Sequence, residues 1–316
     1  MINKIKYIVS ILLLIGCMFL IGIYGYMSNG EKKETYHVSV ILESNNSERW
    51  SVLKQGIENA AKDYNVEINF TTVSVDTGIT ECINIIKREL KNGTNGFIFD
   101  LGNNKKLVKE LDNILLDTQV VMIESEIPIA KGYSYIAPDN HQMGYDLGHN
   151  LLLHKKQGET IGVVVGNKRK NSNVERKNGL IAAIGEKNIS WIIEEEEEVS
   201  KEQIQLKMEE YPVDYMVGLN SIVTEELLDI AKISESLGTV YGVGNTDKIV
   251  YYLDQGLVGG LVAPNEYIMG YMSVKSMFNR LNYNTSGEGM AIDYLVINKE
   301  NLYDVENQKL MFPMVQ

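Results

Sequence analysis

From Tyr36 onward, short extended apolar runs alternate with stretches whose apolar residues recur at helical spacing. The first run is "HVSVILE". It is followed by "ERWSVLKQGIENAAKDY", where Trp50, Leu53, Ile57, Ala60 and Tyr64 share one helical face. "EINFTTVSV" predicts a second strand, and Ile79, Cys82, Ile83, Ile86 and Leu90 predict a second helix. That spacing puts Cys82 in a core, where a free thiol packs as a small hydrophobe. "GFIFDL", "QVVMIES" and "YSYIAP" predict three more strands, with a helix around Leu107 to Leu116 between the first two.

The second half repeats the pattern. Strands are predicted at "TIGVVVG", "SWIIEEE", "DYMVGLN", "TVYGVGN" and "LVGGLVAP", with helices between them. A last helix begins at Glu266, and "MAIDYLVIN" supplies one late strand. Such alternation implies βαβ units and mostly parallel sheets. About ten strands exceed what one sheet ordinarily carries, so the pattern predicts two α/β lobes. Only five prolines occur and no Gly/Ser linker divides the body, so short ordered crossovers must join the lobes.

The first 35 residues differ in kind. Lys4 and Lys6 precede an apolar run from Tyr7 to Met27, and the polar "GEKKE" follows. A run of about 20 apolar residues can span a bilayer. Lysines before it favour an N-terminus in the cytoplasm and a body outside. Two readings stay open. "LIGC", Leu14 to Cys17, resembles the lipobox of bacterial lipoproteins, whose cysteine is lipidated after a signal peptide is removed. The apolar run continues beyond Cys17, which favours an uncleaved anchor helix. Both readings put the body at the outer face of the bacterial cytoplasmic membrane.

Charge and motifs remove several classes. The net charge of −12 argues against nucleic acid and against adsorption on anionic lipid. Two cysteines, one in the apolar N-terminal run, build no disulfide framework, and no Cys/His set has zinc spacing. The four histidines form no HExxH arrangement, and no GxSxG elbow or phosphate loop is present. No metal, cofactor or catalytic residue is therefore expected. A hydrolase using cleft carboxylates is kept as an alternative. A repressor-type regulator would carry a helix-turn-helix where this chain has its apolar run.

In open parallel sheets, ligands bind beyond the carboxyl ends of the strands. Here those ends read "ESNNSERW", "DLGNN", "ESE", "PDN", "GNKRKNSN", "NS" at Asn220–Ser221, "GNTD" and "PNE". Asn and Asp also cap helices and tolerate tight turns. Gathered on one edge, they ring a cleft with planar donors and acceptors that suit a polyhydroxylated sugar. Trp50 offers an aromatic face to such a ligand, and Arg176 a fork of donors. "EEEEE", Glu194 to Glu198, reads as a solvated strand end or an acidic cleft rim.

The ordered series resembles the type I periplasmic sugar-binding proteins, the ribose- and galactose-binding kind. "VLKQGIENAAKDYNVEI", "PDNHQMGYDLG" and "ERKNG" carry the resemblance, and "GVGNTDKIVYYLDQG" follows the same pattern. It implies an α/β fold of two Rossmann-like lobes with parallel sheets and a three-segment hinge, behind a membrane helix or signal segment. Ligand contacts are implied at Asn45 or Asn46 and Trp50, at Glu124 ending the fourth strand, at Asp139, at Arg176 and at Asn220. An Asp of the family pattern falls on Gly244, leaving Asn245 or Asp247 as replacements, and Asn265 is the amide nearest the second crossover. The implied function is a monomeric extracytoplasmic solute-binding protein. It would capture a small polar ligand, a sugar, and deliver it to the permease of an ABC importer. A ligand-sensing accessory protein for a membrane histidine kinase is the alternative.

The chain says one phrase twice. "IAPDNHQMGY", Ile136 to Tyr145, and "VAPNEYIMGY", Val262 to Tyr271, share five of ten positions. Each ends a strand, holds the chain extended at Ala-Pro and opens a capped helix. They are read as paired hinge segments with Asp139 and Asn265 close together. The expected organisation is residues 1–35 as anchor and tether, 36–138 with 265–282 as the first lobe, and 139–264 with 283–316 as the second. Gly144 and Gly270, one turn into each helix, would allow close packing on a neighbour.

Overall fold

The structure is a computed structural model that describes residues 15–19, 35–43, 50–74, 78–233, 238–285 and 289–311. Asn45, Asn46 and most of the apolar N-terminal run lie outside the described residues. No helix among the described residues is long and apolar enough to cross a membrane. Residues 1–35 form one unit and residues 36–316 another.

The first lobe runs β1 (Tyr36–Glu43), α1 (Ser51–Tyr64), β2 (Val66–Val73), α2 (Ile79–Lys91), β3 (Gly96–Asp100), α3 (Lys105–Ile114), β4 (Gln119–Ile123) and β5 (Ser134–Ala137). The chain then crosses into α4 (Asn140–Leu152), β6 (Ile161–Asn167), α5 (Asn171–Ile184), β7 (Ile189–Glu195) and α6 (Lys201–Glu210). It continues through β8 (Tyr215–Gly218), α7 (Ser221–Ile233), β9 (Thr239–Val243), α8 (Asp247–Asp254) and β10 (Val258–Pro264). The return brings α9 (Glu266–Tyr283), β11 (Met290–Ala291), β12 (Tyr294–Ile297) and α10 (Val305–Met311).

Two sheets of the same order result, β11-β5-β4-β3-β1-β2 and β12-β10-β9-β8-β6-β7. Every pairing is parallel except that of β10 with β12. The two-residue period of a strand explains how each sheet is covered on both faces. Val38, Val40 and Leu42 of β1 join one apolar cluster with Trp50, Leu53 and Met277, whereas Ile41 joins another with Phe97 and Leu111. In the second lobe Val163 and Val217 pack with Leu147 and Leu180, while Val164 and Met216 pack on the opposite face with Leu228 and Leu253. Each such side chain, fully buried, contributes roughly 1.5–3 kcal/mol.

"MAIDYLVIN" is not one strand. Met290–Ala291 pairs with β5 in the first sheet, and Tyr294–Ile297 pairs with β10 in the second. The chain crosses between sheets at Ile292–Asp293, so Met290–Ala291 belongs to the first lobe's sheet and Tyr294–Ile297 to the second's. This crossing completes a three-segment hinge. Ile292 N–H donates to Ala137 O at 3.0 Å, and Asn265 N–H donates to Asp293 O at 3.1 Å. The two copies of the repeated phrase therefore flank a third segment that hydrogen-bonds to both.

The glycines of that phrase set the helix packing. A methyl added at Gly144 of α4 would overlap the carbonyl of Arg176 on α5, and one at Gly179 of α5 would overlap the carbonyl of His141. The first lobe repeats the device: Gly270 of α9 lies on the Leu53 carbonyl of α1, and Gly56 of α1 on the Tyr267 carbonyl. On an exposed helix face, Gly→Ala gains about 1 kcal/mol of helix propensity. Here the added carbon must push two backbones apart. Gly144→Ala and Gly270→Ala should each lose about 1–3 kcal/mol in urea unfolding, and a gain in either would refute the backbone contact.

Cys82 is buried, and that burial, with Glu43 nearby, pushes its thiol up to about 12. The thiolate is the reactive form. Cys82 should therefore resist alkylation near neutral pH in the folded chain and react once urea unfolds it. Mass spectrometry of the labelled peptide reads the difference.

Candidate functional site

The carboxyl ends of the strands of both sheets meet in a seam between the lobes. From the first lobe come Glu43 at the end of β1, Asp100 at the end of β3, and Glu124 and Ser125 after β4. From the second come Arg169 and Lys170 in the β6–α5 loop and Ser172 and Arg176 on α5. Lys170 Nζ lies 2.9 Å from Asp100 Oδ2 and 3.7 Å from Glu43 Oε2, and Arg169 Nη2 lies 3.5 Å from Glu43 Oε1. The Ser125 and Ser172 hydroxyls are 2.6 Å apart.

Arg176 is the most deeply buried cation of the seam, at 1% exposure. Its Nη2 donates to Glu124 Oε1 at 2.7 Å, and its Nη1 donates to Leu219 O at 3.2 Å. A buried charge needs such partners, because removing one typically costs about 3–5 kcal/mol. Glu124 reaches Arg176 from a left-handed turn with φ of 59°. That conformation costs a non-glycine residue about 1–2 kcal/mol. The turn is held by its own carbonyl, which accepts from Tyr135 Oη at 2.9 Å and Asn140 Nδ2 at 3.3 Å. Burial, together with the Glu124 charge, pushes the Tyr135 phenol far up, so it stays a donor.

The expected ligand residues occupy different situations. Glu124 and Arg176 meet directly. Trp50 is buried in the core of the first lobe with Leu42 and Leu53. Asp139 caps α4, accepting from Gln142 N–H at 2.8 Å, and is exposed. Gln142 turns to Asp146 Oδ1 rather than back to the cap. Asn265 caps α9 in the same way, accepting from Ile268 N–H at 3.0 Å, and is half-buried. Asn220 spends its amide within the second lobe, accepting from Val223 N–H and donating to Val165 O. Asn245 is half-buried beside Gly244. Gly244 has φ of +135°, and a Cβ there would lie 2.8 Å from Ser221 and Ile249 atoms, so no side chain fits at that position.

Several buried seam residues lie in the strand-end stretches but match no ligand position that the resemblance implies. Asn140, Asn167 and Ser172 are each 1% exposed, Ser221 is 4% exposed, and Lys170 is 8% exposed. Five buried polar atoms along the seam have no hydrogen-bond partner among the described residues: Asn140 Oδ1, Asn167 Nδ2, Arg169 Nε, Arg176 Nε and Ser221 Oγ. Buried polar groups are almost always paired, so these atoms are available to an ordered water or a ligand. At the outer rim a cavity of about 400 Å³ is lined by Asn103, Lys168, Arg169, Asn171, Lys177 and Glu194, among others. Glu194 and Glu196 of the acidic run there pair with Lys177 and Lys168. A second cavity, about 230 Å³, lies at the other ends of β1 and β2 around Glu89. Burial alone would raise Glu89, but hydrogen bonds from Asn69, Arg88 and Ser39 outweigh it and hold the carboxyl below its usual range. Glu89 is thus a satisfied structural anion. Among the described residues no group of three His, Cys, Asp or Glu is placed to hold a metal ion.

Known proteins share this architecture. A glucose-galactose binding protein from Geobacillus stearothermophilus is 21% identical, with a TM-score of 0.76 over 85% of this chain and 99% of its own. A carbohydrate transporter solute-binding protein from Agrobacterium radiobacter, solved with D-arabinose, is 17% identical, with a TM-score of 0.80 over 88% and 99%. A sugar transporter from Clostridium phytofermentans is 18% identical, with a TM-score of 0.72 over 84% and 100%. No curated protein matches the sequence. The family described as periplasmic binding protein domain matches residues 38–285. Two like sheets, a three-segment hinge and polar strand ends closing on one another agree with that match, and the chain belongs to the periplasmic binding protein family.

Proposed function

We propose that this chain is an extracytoplasmic solute-binding protein that captures a sugar between its lobes and delivers it to an ABC permease. The observation that carries the reading is the set of unpaired buried atoms, Asn140 Oδ1, Asn167 Nδ2, Arg169 Nε, Arg176 Nε and Ser221 Oγ. They offer donors and acceptors in the mixture that adjacent sugar hydroxyls require. The sugars bound by structural relatives, D-arabinose, α-D-tagatopyranose and D-fucose, support a monosaccharide as the ligand class. The apolar run Tyr7–Met27 would tether a monomeric body to the outer membrane face, by an anchor helix or through lipidation at Cys17.

A sensor-kinase partner is the second reading. It is favoured by the apolar run Tyr7–Met27, read as an uncleaved anchor, and by Gly244 standing where the family pattern has an Asp. Affinity capture with the full chain in membranes distinguishes the two by recovering permease subunits or a kinase.

Isothermal calorimetry against a panel of pentoses and hexoses, beginning with D-arabinose and D-galactose, tests the sugar reading. At least one should bind one-to-one. Arg176→Met, with its fold checked by thermal melting, should weaken that sugar by about 30-fold or more, as loss of a buried charged donor does. No heat from any sugar with an intact fold would overturn the proposal. The bound sugar should also be recovered chemically unchanged after long incubation, and a hydrolysed or modified product would favour an enzyme instead.

A further inference from the structure

The β6–α5 loop leaves the second lobe and lies on the strand ends of the first. Its two cations, Arg169 and Lys170, face two carboxylates, Glu43 and Asp100. Lys170 Nζ also donates to the Asp100 carbonyl at 3.0 Å. The backbones join in, with Asn103 N–H donating to Arg169 O at 2.7 Å and Ser172 N–H donating to Ser125 Oγ at 3.3 Å. Glu43 is turned toward the loop by accepting from Gly102 N–H at 2.6 Å. Two positive charges meet two negative ones, so closing the seam leaves no net charge buried. Direct contacts of this length leave no space for a molecule between the partners.

We propose that Arg169 and Lys170 form a latch that holds the two lobes together before any ligand arrives. The latch closes on the ends of β1 and β3. The Glu124–Arg176 pair, where the proposed sugar would sit, lies at the end of β4. Ligand therefore enters a cleft already biased toward closure, and adds to a population the chain itself supplies. The inference goes beyond the sugar reading and does not depend on it, because the latch contacts belong to the chain alone.

Hydrogen exchange on the full chain, dialysed free of small molecules, tests the latch. The Asn103 and Ser172 amides donate across the seam, so their exchange reports its opening. Without added sugar, the peptides carrying them should be protected. Lys170→Met should speed their exchange by about tenfold or more, because a buried carboxylate loses its cation, while peptides from β3 and β8 keep their protection. Glu43→Gln should act in the same direction from the opposite wall. It also decides the matter if lost protection in β3 and β8 shows that Lys170→Met has failed to fold. Unprotected seam amides in the unaltered chain would overturn the latch, as would wild-type protection in a folded variant. Calorimetry with the sugar panel on the same protein keeps the two proposals apart: an absence of heat removes the sugar reading and leaves the exchange result standing.

Discussion

A guanidinium that is 1% exposed must be answered by fixed partners, and Arg176 is answered from both lobes. Leu219 holds it from its own side, and Glu124 holds it from the other. Much of the surrounding structure serves that one placement. Glu124 keeps a left-handed turn because Tyr135 and Asn140 hold its carbonyl. Asn140 can reach it because Asp139 caps α4 and leaves the next residue facing inward. Gly144, one turn later, lets α4 touch the backbone of α5 at Arg176 itself. The hinge helix and the helix carrying the buried cation are thus packed backbone to backbone at Arg176.

The two lobes use the same device for different ends. In each, a helix leaving the hinge rests by a glycine on the helix that follows the lobe's first strand. In the second lobe the contacted residue is Arg176, which faces the seam. In the first it is Leu53, close to the buried Trp50. Likeness in the repeated phrase therefore reflects a shared packing requirement. The chemistry at the two sites is set by residues outside the phrase.

The fold was legible because alternation along β1, β3, β6 and β8 divides residues cleanly between two covered faces. The hinge was legible because Ala-Pro, a capping residue and a glycine recur in order at two places. The site was legible only in part. Residues at strand ends announce themselves, but adjacent polar residues such as Asp139 and Asn140 differ only in helix phase, and the cap takes the first. The splitting of "MAIDYLVIN" was hidden because both strands and the crossing between them are similarly apolar. The Arg169–Lys170 contacts were hidden because cationic loop residues look solvated until the opposing lobe is placed against them. Gly244 read as a missing ligand contact, whereas its backbone conformation and the nearness of Ser221 and Ile249 exclude a side chain.

The proposed sugar would sit between the lobes and separate Glu124 from Arg176. A crystal structure of the chain grown with a sugar that binds it would test this placement. Sugar density is expected in contact with Arg176 and Asn140, with the Arg176–Glu124 hydrogen bond replaced by bonds through the ligand. Sugar bound elsewhere, with that pair still at hydrogen-bond distance, would contradict it.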